Sequence, residues 1–234
     1  MRWPALGLLL VGACGDTGQQ RLRIPVVAQG SQRDFFEVGD ARFTLQRAEL
    51  GFGPLYLCAT EGADVDLCEV ALGEFLQTIT IDGLDGQPTT VGTLDATTGN
   101  VRSALYDYGI SWLLTQQQPR ASKGAPDGHS LVLSGSVTRA QQTLLFEAVV
   151  DIAPLSAGDA ALNALATQRD LKSGDQLRLQ VDPYRWLSRI NLDKLFALDE
   201  DRDGQVTLGE ETQAYQALVL GMTNAAPVQL VWSR

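Results

Sequence analysis

Three aspartates, Asp199, Asp201 and Asp203, stand at alternating positions, followed at once by Gly204 and further on by Glu210. Carboxylates spaced this way on a sharply turning chain can aim their oxygens at one centre. That centre suits a hard cation, because calcium takes six to eight oxygen ligands from carboxylates, carbonyls and water. Gly204 supplies the freedom that such a turn demands. Without a cation, repulsion among the carboxylates disfavours the compact loop. The surrounding charge agrees. The chain has 28 acidic and 18 basic residues, a net charge of -10, and half of that excess lies between Asp193 and Glu211.

The segment 199–210, DEDRDGQVTLGE, resembles an EF-hand calcium loop. The resemblance implies side-chain ligands at Asp199, Asp201 and Asp203 and a backbone carbonyl at Gln205. It implies Thr207, directly or through water, and a bidentate Glu210. Val206, the aliphatic eighth residue of the loop, is expected to point to the core. The likeness covers residues 190 to 221 alone. EF-hands usually come in pairs whose loops join by a short β-bridge, and this sequence carries one. A sensor that opens a groove is therefore not expected. Extracellular modules hold calcium at about 0.1 to 1 mM, so the expected cofactor is a structural Ca2+.

The flanks that must hold this loop read as helical. Asp182 before Pro183 is a helix start. Asn191 is placed to cap a short helix, Leu192 to Leu198, whose Leu195, Phe196 and Leu198 form an apolar face. An exiting helix is expected from Leu208 to Leu220, with Glu210 in its first turn and Gly221 ending it. Ala214, Tyr215, Leu218 and Met222 would share its face. The unit spanning 183–222 is thus an insertion before a last strand, Pro227 to Trp232.

The rest of the body, from Ile24 to Val181, consists of short apolar segments broken by Gly, Asp, Asn and Pro. Strands are expected at Arg42–Leu50, Leu55–Ala59, Leu76–Asp82, Thr89–Leu94, Val101–Trp112, Ser130–Thr138, Thr143–Ile152 and Gln176–Val181. Hairpins are expected around turns at 83–86 and 139–142. Gly51-Phe52-Gly53 reads as a strand kink. Gln117 to His129 reads as a surface loop. Leu155 to Leu171, rich in Ala, reads as a short helix with Leu162, Leu165 and Ala166 on one face. The pattern predicts a mainly β protein, an antiparallel β-sandwich with a small helix-loop-helix unit before its last strand, occupying 24–234.

The first residues, MRWPALGLLLVGAC, combine Arg2, an apolar run from Trp3 to Val11, and small residues before Cys14. The run is too short to span a bilayer and has the order of an export signal. Val11-Gly12-Ala13-Cys14 resembles a bacterial lipobox. That likeness implies a signal peptide over 1–13, a lipid on Cys14, a tether over 14–23 and a place in the cell envelope, most simply the outer membrane. The partner implied is a membrane, reached through the lipid. Cys58 and Cys68 then remain as a pair, and an oxidising compartment favours their disulfide. Their loop, CATEGADVDLC, also holds Glu61, Asp64 and Asp66 as a weak second cation cluster.

Other chemistries find little support. So acidic a chain suits neither nucleic acid nor an anionic surface. His129 is the single histidine, and no G-x-S-x-G, H-E-x-x-H or C-x-x-C occurs. Tyr106, Tyr108 and Trp112 alternate along YDYGISW. Exposed, they would stack on sugar rings and make a carbohydrate-binding or polysaccharide-acting surface. Buried, they would be sandwich core. The leader, the β-rich body and the final strand ending in Trp232 are vaguely similar to the methanobactin-associated copper-binding periplasmic family. That likeness implies copper handling, although copper ligands are scarce here. The expectation is a non-enzymatic, calcium-binding lipoprotein with a binding or structural role, which leaves any protein or carbohydrate partner unidentified.

Overall fold

Period-two alternation of buried and exposed side chains builds many of the strands. In β1 (Arg21–Gln29) Leu22, Ile24 and Val26 face inward while Arg21, Arg23 and Pro25 face out. The computed structural model describes residues 18–61, 68 and 71–234. The signal segment 1–13, Cys14, the start of the tether, and Asp64 and Asp66 lie outside the described residues.

After β1 come β2 (Phe36–Val38), β3 (Ala41–Phe52), β4 (Leu55–Cys58), β5 (Ala71–Phe75) and β6 (Ile79–Asp82). Then follow β7 (Thr89–Thr97), β8 (Gly99–Tyr106) and a small pair, β9 (Ile110–Ser111) with β10 (Arg120–Ala121). β11 (Leu131–Arg139) and β12 (Gln142–Val150) form the hairpin expected at 139–142, in register from Leu131↔Val150 to Arg139↔Gln142. β13 (Leu162–Leu171) and β14 (Gln176–Gln180) precede the helical unit. That unit contains α1 (Pro183–Trp186), α2 (Leu192–Phe196), β15 (Gln205–Thr207) and α3 (Gln213–Leu220). β16 (Gln229–Ser233) is the last strand.

The strands form two large sheets, mainly antiparallel, around one core, as a β-sandwich requires. The first has the order β13-β8-β4-β5-β7-β1-β14-β16. It curls until its edge strands approach: Trp232 on β16 lies against Thr167 and Arg169 on β13. The second has the order β15-β12-β11-β3-β2, with β6 on the far half of β3. Two pairings are parallel, β1 with β14 and β12 with β15. The chain crosses between sheets where β3 becomes β4. There Gly53 sits at φ +103°, and a Cβ on it would lie 2.2 Å from the Gln77 carbonyl oxygen. The kink expected at Gly51–Gly53 therefore moves the chain from one layer to the other.

Several expectations are corrected. β1 was not expected, and it takes Arg21–Arg23 out of the tether. Its Pro25 is tolerated because pairing with β14 begins only at Val26. The segments around 83–86 do not pair: β6 joins β3, whereas β7 joins β1 and β5. Residues 162–171 are strand, not helix. The free side of β8 offers them a ladder, and that outweighs the helix propensity of alanine. The expected strand Val101–Trp112 ends at Tyr106, because Gly109 turns the chain at φ +78°.

Polar contacts of buried side chains hold the helical unit together and join it to the sandwich. The Trp186 indole N–H donates to the Ala226 carbonyl at 2.9 Å. The Tyr184 hydroxyl donates to the Asp34 carbonyl and accepts the Leu45 N–H, beside a bulge in the β3–β11 ladder. The α-helical run ends at Leu220 with Gly221 at its C-cap, as expected, but Gly221 keeps right-handed backbone. The helix runs on into a π-helical turn, Gly221–Ala225, and glycine is required there because a Cβ would meet the Trp186 backbone at 2.7 Å.

Cys58 and Cys68 form a disulfide, with their Cα atoms 5.4 Å apart. Cys58 is fully buried against Leu105 and Ala160. Closing this loop restricts the unfolded chain and stabilises the fold by up to about 3 kcal/mol. Replacing both cysteines by alanine should therefore lower the melting temperature by roughly 6–12 °C in scanning calorimetry. An unchanged melting temperature would show that the crosslink contributes nothing.

Candidate metal centre

The loop that follows α2 begins from a well-capped helix. The Asn191 carboxamide oxygen accepts the Lys194 N–H at 3.0 Å, as expected for the cap. Leu195 is buried and seats α2 on the core. Arg139, from the β11–β12 turn, reaches Asp193 on α2 at 2.6 Å and Asp40 at 2.9 Å. These exposed ion pairs fix position more than they add stability. The chain then enters 199–210 with Asp199 half-buried and Asp201 and Asp203 exposed.

One carboxylate oxygen from each of Asp199, Asp201 and Asp203 lies within 4.8 Å of the others. Local hydrogen bonds turn the chain around this point. Asp199 Oδ1 accepts the Gly204 N–H at 3.2 Å, and Asp203 Oδ1 accepts the Gln205 N–H at 2.8 Å. Arg202 and Gly204 adopt left-handed backbone, at φ +62° and +77°. Three carboxylates this close could together hold a metal ion.

Gln205 and Thr207 lie on β15, which pairs in parallel with Leu145–Glu147 of β12. Val206 between them is buried, as expected. The Thr207 hydroxyl donates to Glu147 Oε1 at 3.0 Å. Glu210 is not among the converging carboxylates. α3 begins at Gln213, capped by the Thr212 hydroxyl on the Tyr215 N–H, so Glu210 sits in a turn before the helix. The expected helix from Leu208 is corrected on this point: the β15 ladder holds Leu208, whose N–H donates to the Glu147 carbonyl at 2.8 Å. The chain then turns, with the Thr212 N–H on the Gly209 carbonyl at 2.9 Å, before α3 begins.

The aromatic stripe is core at both of its tyrosines. Tyr106 and Tyr108 are fully buried, with their hydroxyls 3.3 Å apart. The Tyr108 hydroxyl donates to the Met222 carbonyl at 2.7 Å. Burial pushes the Tyr108 phenol far above its usual range. Trp112 lies beyond the turn, half-buried, its indole N–H on the Gln116 carbonyl. The stacking face proposed for Tyr106, Tyr108 and Trp112 is thus not formed, because the tyrosines point into the sandwich.

Two residues escaped the sequence reading. Glu147 joins the loop to the sheet, yet in TLLFEAVV it is one more outward polar residue of an alternating strand. Asp107 lies between the tyrosines and is almost fully buried. Its Oδ1 accepts the Ala161 N–H at 2.8 Å. Burial raises its pKa to about 7, partly offset by that hydrogen bond. An acid whose folded pKa is raised contributes stability that is complete below its unfolded pKa and lost as pH rises through the folded one. Stability should therefore decline between about pH 4 and about pH 7 on this account. Asp107→Asn keeps the acceptor and should remove that part of the slope. Its melting temperature should match the parent at pH 4 and exceed it at pH 8; parallel profiles would refute the assignment.

No protein-family model matches the chain, and no curated protein or solved structure matches it either.

Proposed function

We propose that this chain is a non-enzymatic calcium-binding protein of the cell envelope, held to a membrane by a lipid on Cys14, with calcium as a structural staple of its β-sandwich. The observation that carries the calcium reading is the convergence of Asp199, Asp201 and Asp203 within 4.8 Å on a left-handed turn at Gly204. Gln205 and Thr207 stand next along the chain, and Glu210 would close the shell from its turn. A staple fits better than a sensor, because the sequence carries one such loop and not the pair that sensors use. The envelope reading draws on the lipobox-like leader and agrees with the Cys58–Cys68 disulfide.

The test is calorimetric titration of calcium into the protein, with thermal unfolding in calcium and in chelator. One site with a dissociation constant in the micromolar to millimolar range is expected. Calcium at tenfold excess over that constant should stabilise by about 1.4 kcal/mol, or roughly 3–6 °C. Asp201→Asn and Glu210→Gln should each weaken binding and shrink the shift. Absence of binding at millimolar calcium would leave the loop an acidic turn and end this reading.

A further inference from the structure

The free side of β12 is an edge, and an edge strand leaves a row of unpaired N–H and C=O groups. Here β15 covers part of it. The Leu145 N–H donates to the Gly204 carbonyl at 2.8 Å, and the Leu208 N–H donates to the Glu147 carbonyl at 2.8 Å. The ladder between is three residues long, Leu145↔Gln205 to Glu147↔Thr207, against nine pairs on the other side of β12. So short a ladder is held mainly by Val206 in the core and the Thr207–Glu147 bond.

Gly204 belongs to both systems. Its N–H reaches the Asp199 carboxylate at 3.2 Å, while its carbonyl receives the Leu145 N–H. A movement of the aspartates apart pulls on the same residue that starts the ladder. The three carboxylates repel one another when no cation neutralises them, and the covering ladder has only three residue pairs to resist that.

We propose that β15 is a strap over the edge of the second sheet, closed by the ion and released without it. This rests on the calcium reading above and adds what the ion controls. With the strap closed, a polar groove of about 410 Å³ forms between Gln46, Ser134 and Glu147 of the sheet and Gln205 and Thr207 of the strap. With the strap lifted, that groove loses a wall and the β12 edge is open beside the exposed side chains of Leu145 and Val149. Linkage makes the coupling reciprocal: whatever loosens the ladder weakens the ion's hold by the same factor.

Amide hydrogen exchange on the full chain, with calcium and with chelator, reads the strap directly. Calcium should slow exchange at the Leu145 and Leu208 amides at least tenfold, while amides inside the β11–β12 ladder stay unchanged. Leu145→Pro deletes the donor to Gly204 from an exposed edge position, 54 residues before the first aspartate, and should weaken calcium binding several-fold. If calcium binds while both amides exchange equally fast with and without it, the strap is refuted and the calcium site stands. If a folded Leu145→Pro variant binds calcium as tightly as the parent, the coupling is likewise refuted. If the parent binds no calcium, the calcium reading falls and the strap with it. Should Leu145→Pro fail to fold, the exchange comparison on the parent decides alone.

Discussion

Every backbone N–H and C=O taken from water needs a partner, and at the edge of the second sheet that requirement joins the two halves of the protein. β12 would otherwise end the sheet with open groups. β15 supplies partners, and it can do so only because the preceding turn, with its aspartates and left-handed glycine, delivers it in parallel register. β15 pairs in parallel with β12 directly after the turn that carries the aspartates, so the candidate metal centre adjoins the second sheet.

The same requirement explains how the helical unit is anchored. Short helices such as α1 and α2 gain little from their own hydrogen bonds. Their stability comes from burying Trp186, Leu187 and Leu195, and from polar groups that reach across to other layers. The Trp186 indole meets Ala226, the Tyr184 hydroxyl meets the bulge at Leu45, and the Tyr108 hydroxyl meets Met222. Each is a buried polar group with a partner, and losing either half would leave the other unsatisfied at a cost of about 1–3 kcal/mol. The close seat of Gly221 on Trp186 belongs to this joint.

Asp107 and the tyrosines show what burial does to chemistry that a sequence leaves ambiguous. YDYGISW reads equally as an exposed stacking ladder or a core strand. Tyr106 ends β8, between β4 and β13, and Tyr108 bridges to Gly53 just beyond it; both phenols are fully buried. The acid between them keeps one backbone partner and loses most of its solvent, which moves its titration into the neutral range.

The amino-acid sequence by itself determined the features that depend on near neighbours. These are the alternation that makes strands, the β11–β12 hairpin, the Asn191 cap, the kink at Gly53, and the aspartate spacing around Gly204. Each is set by sterics and hydrogen bonds within a few residues, so spacing alone reveals it. Only the tertiary structure decided which distant segments meet. It sent β6 and β7 to different sheets, made Leu162–Leu171 a strand along β8, and buried Tyr106 and Tyr108. It also placed Glu147 beside Thr207 and left Glu210 outside the cluster of carboxylates. A ladder partner is any edge that arrives at the right height, and arrival depends on how the whole apolar surface is buried, which no local pattern records.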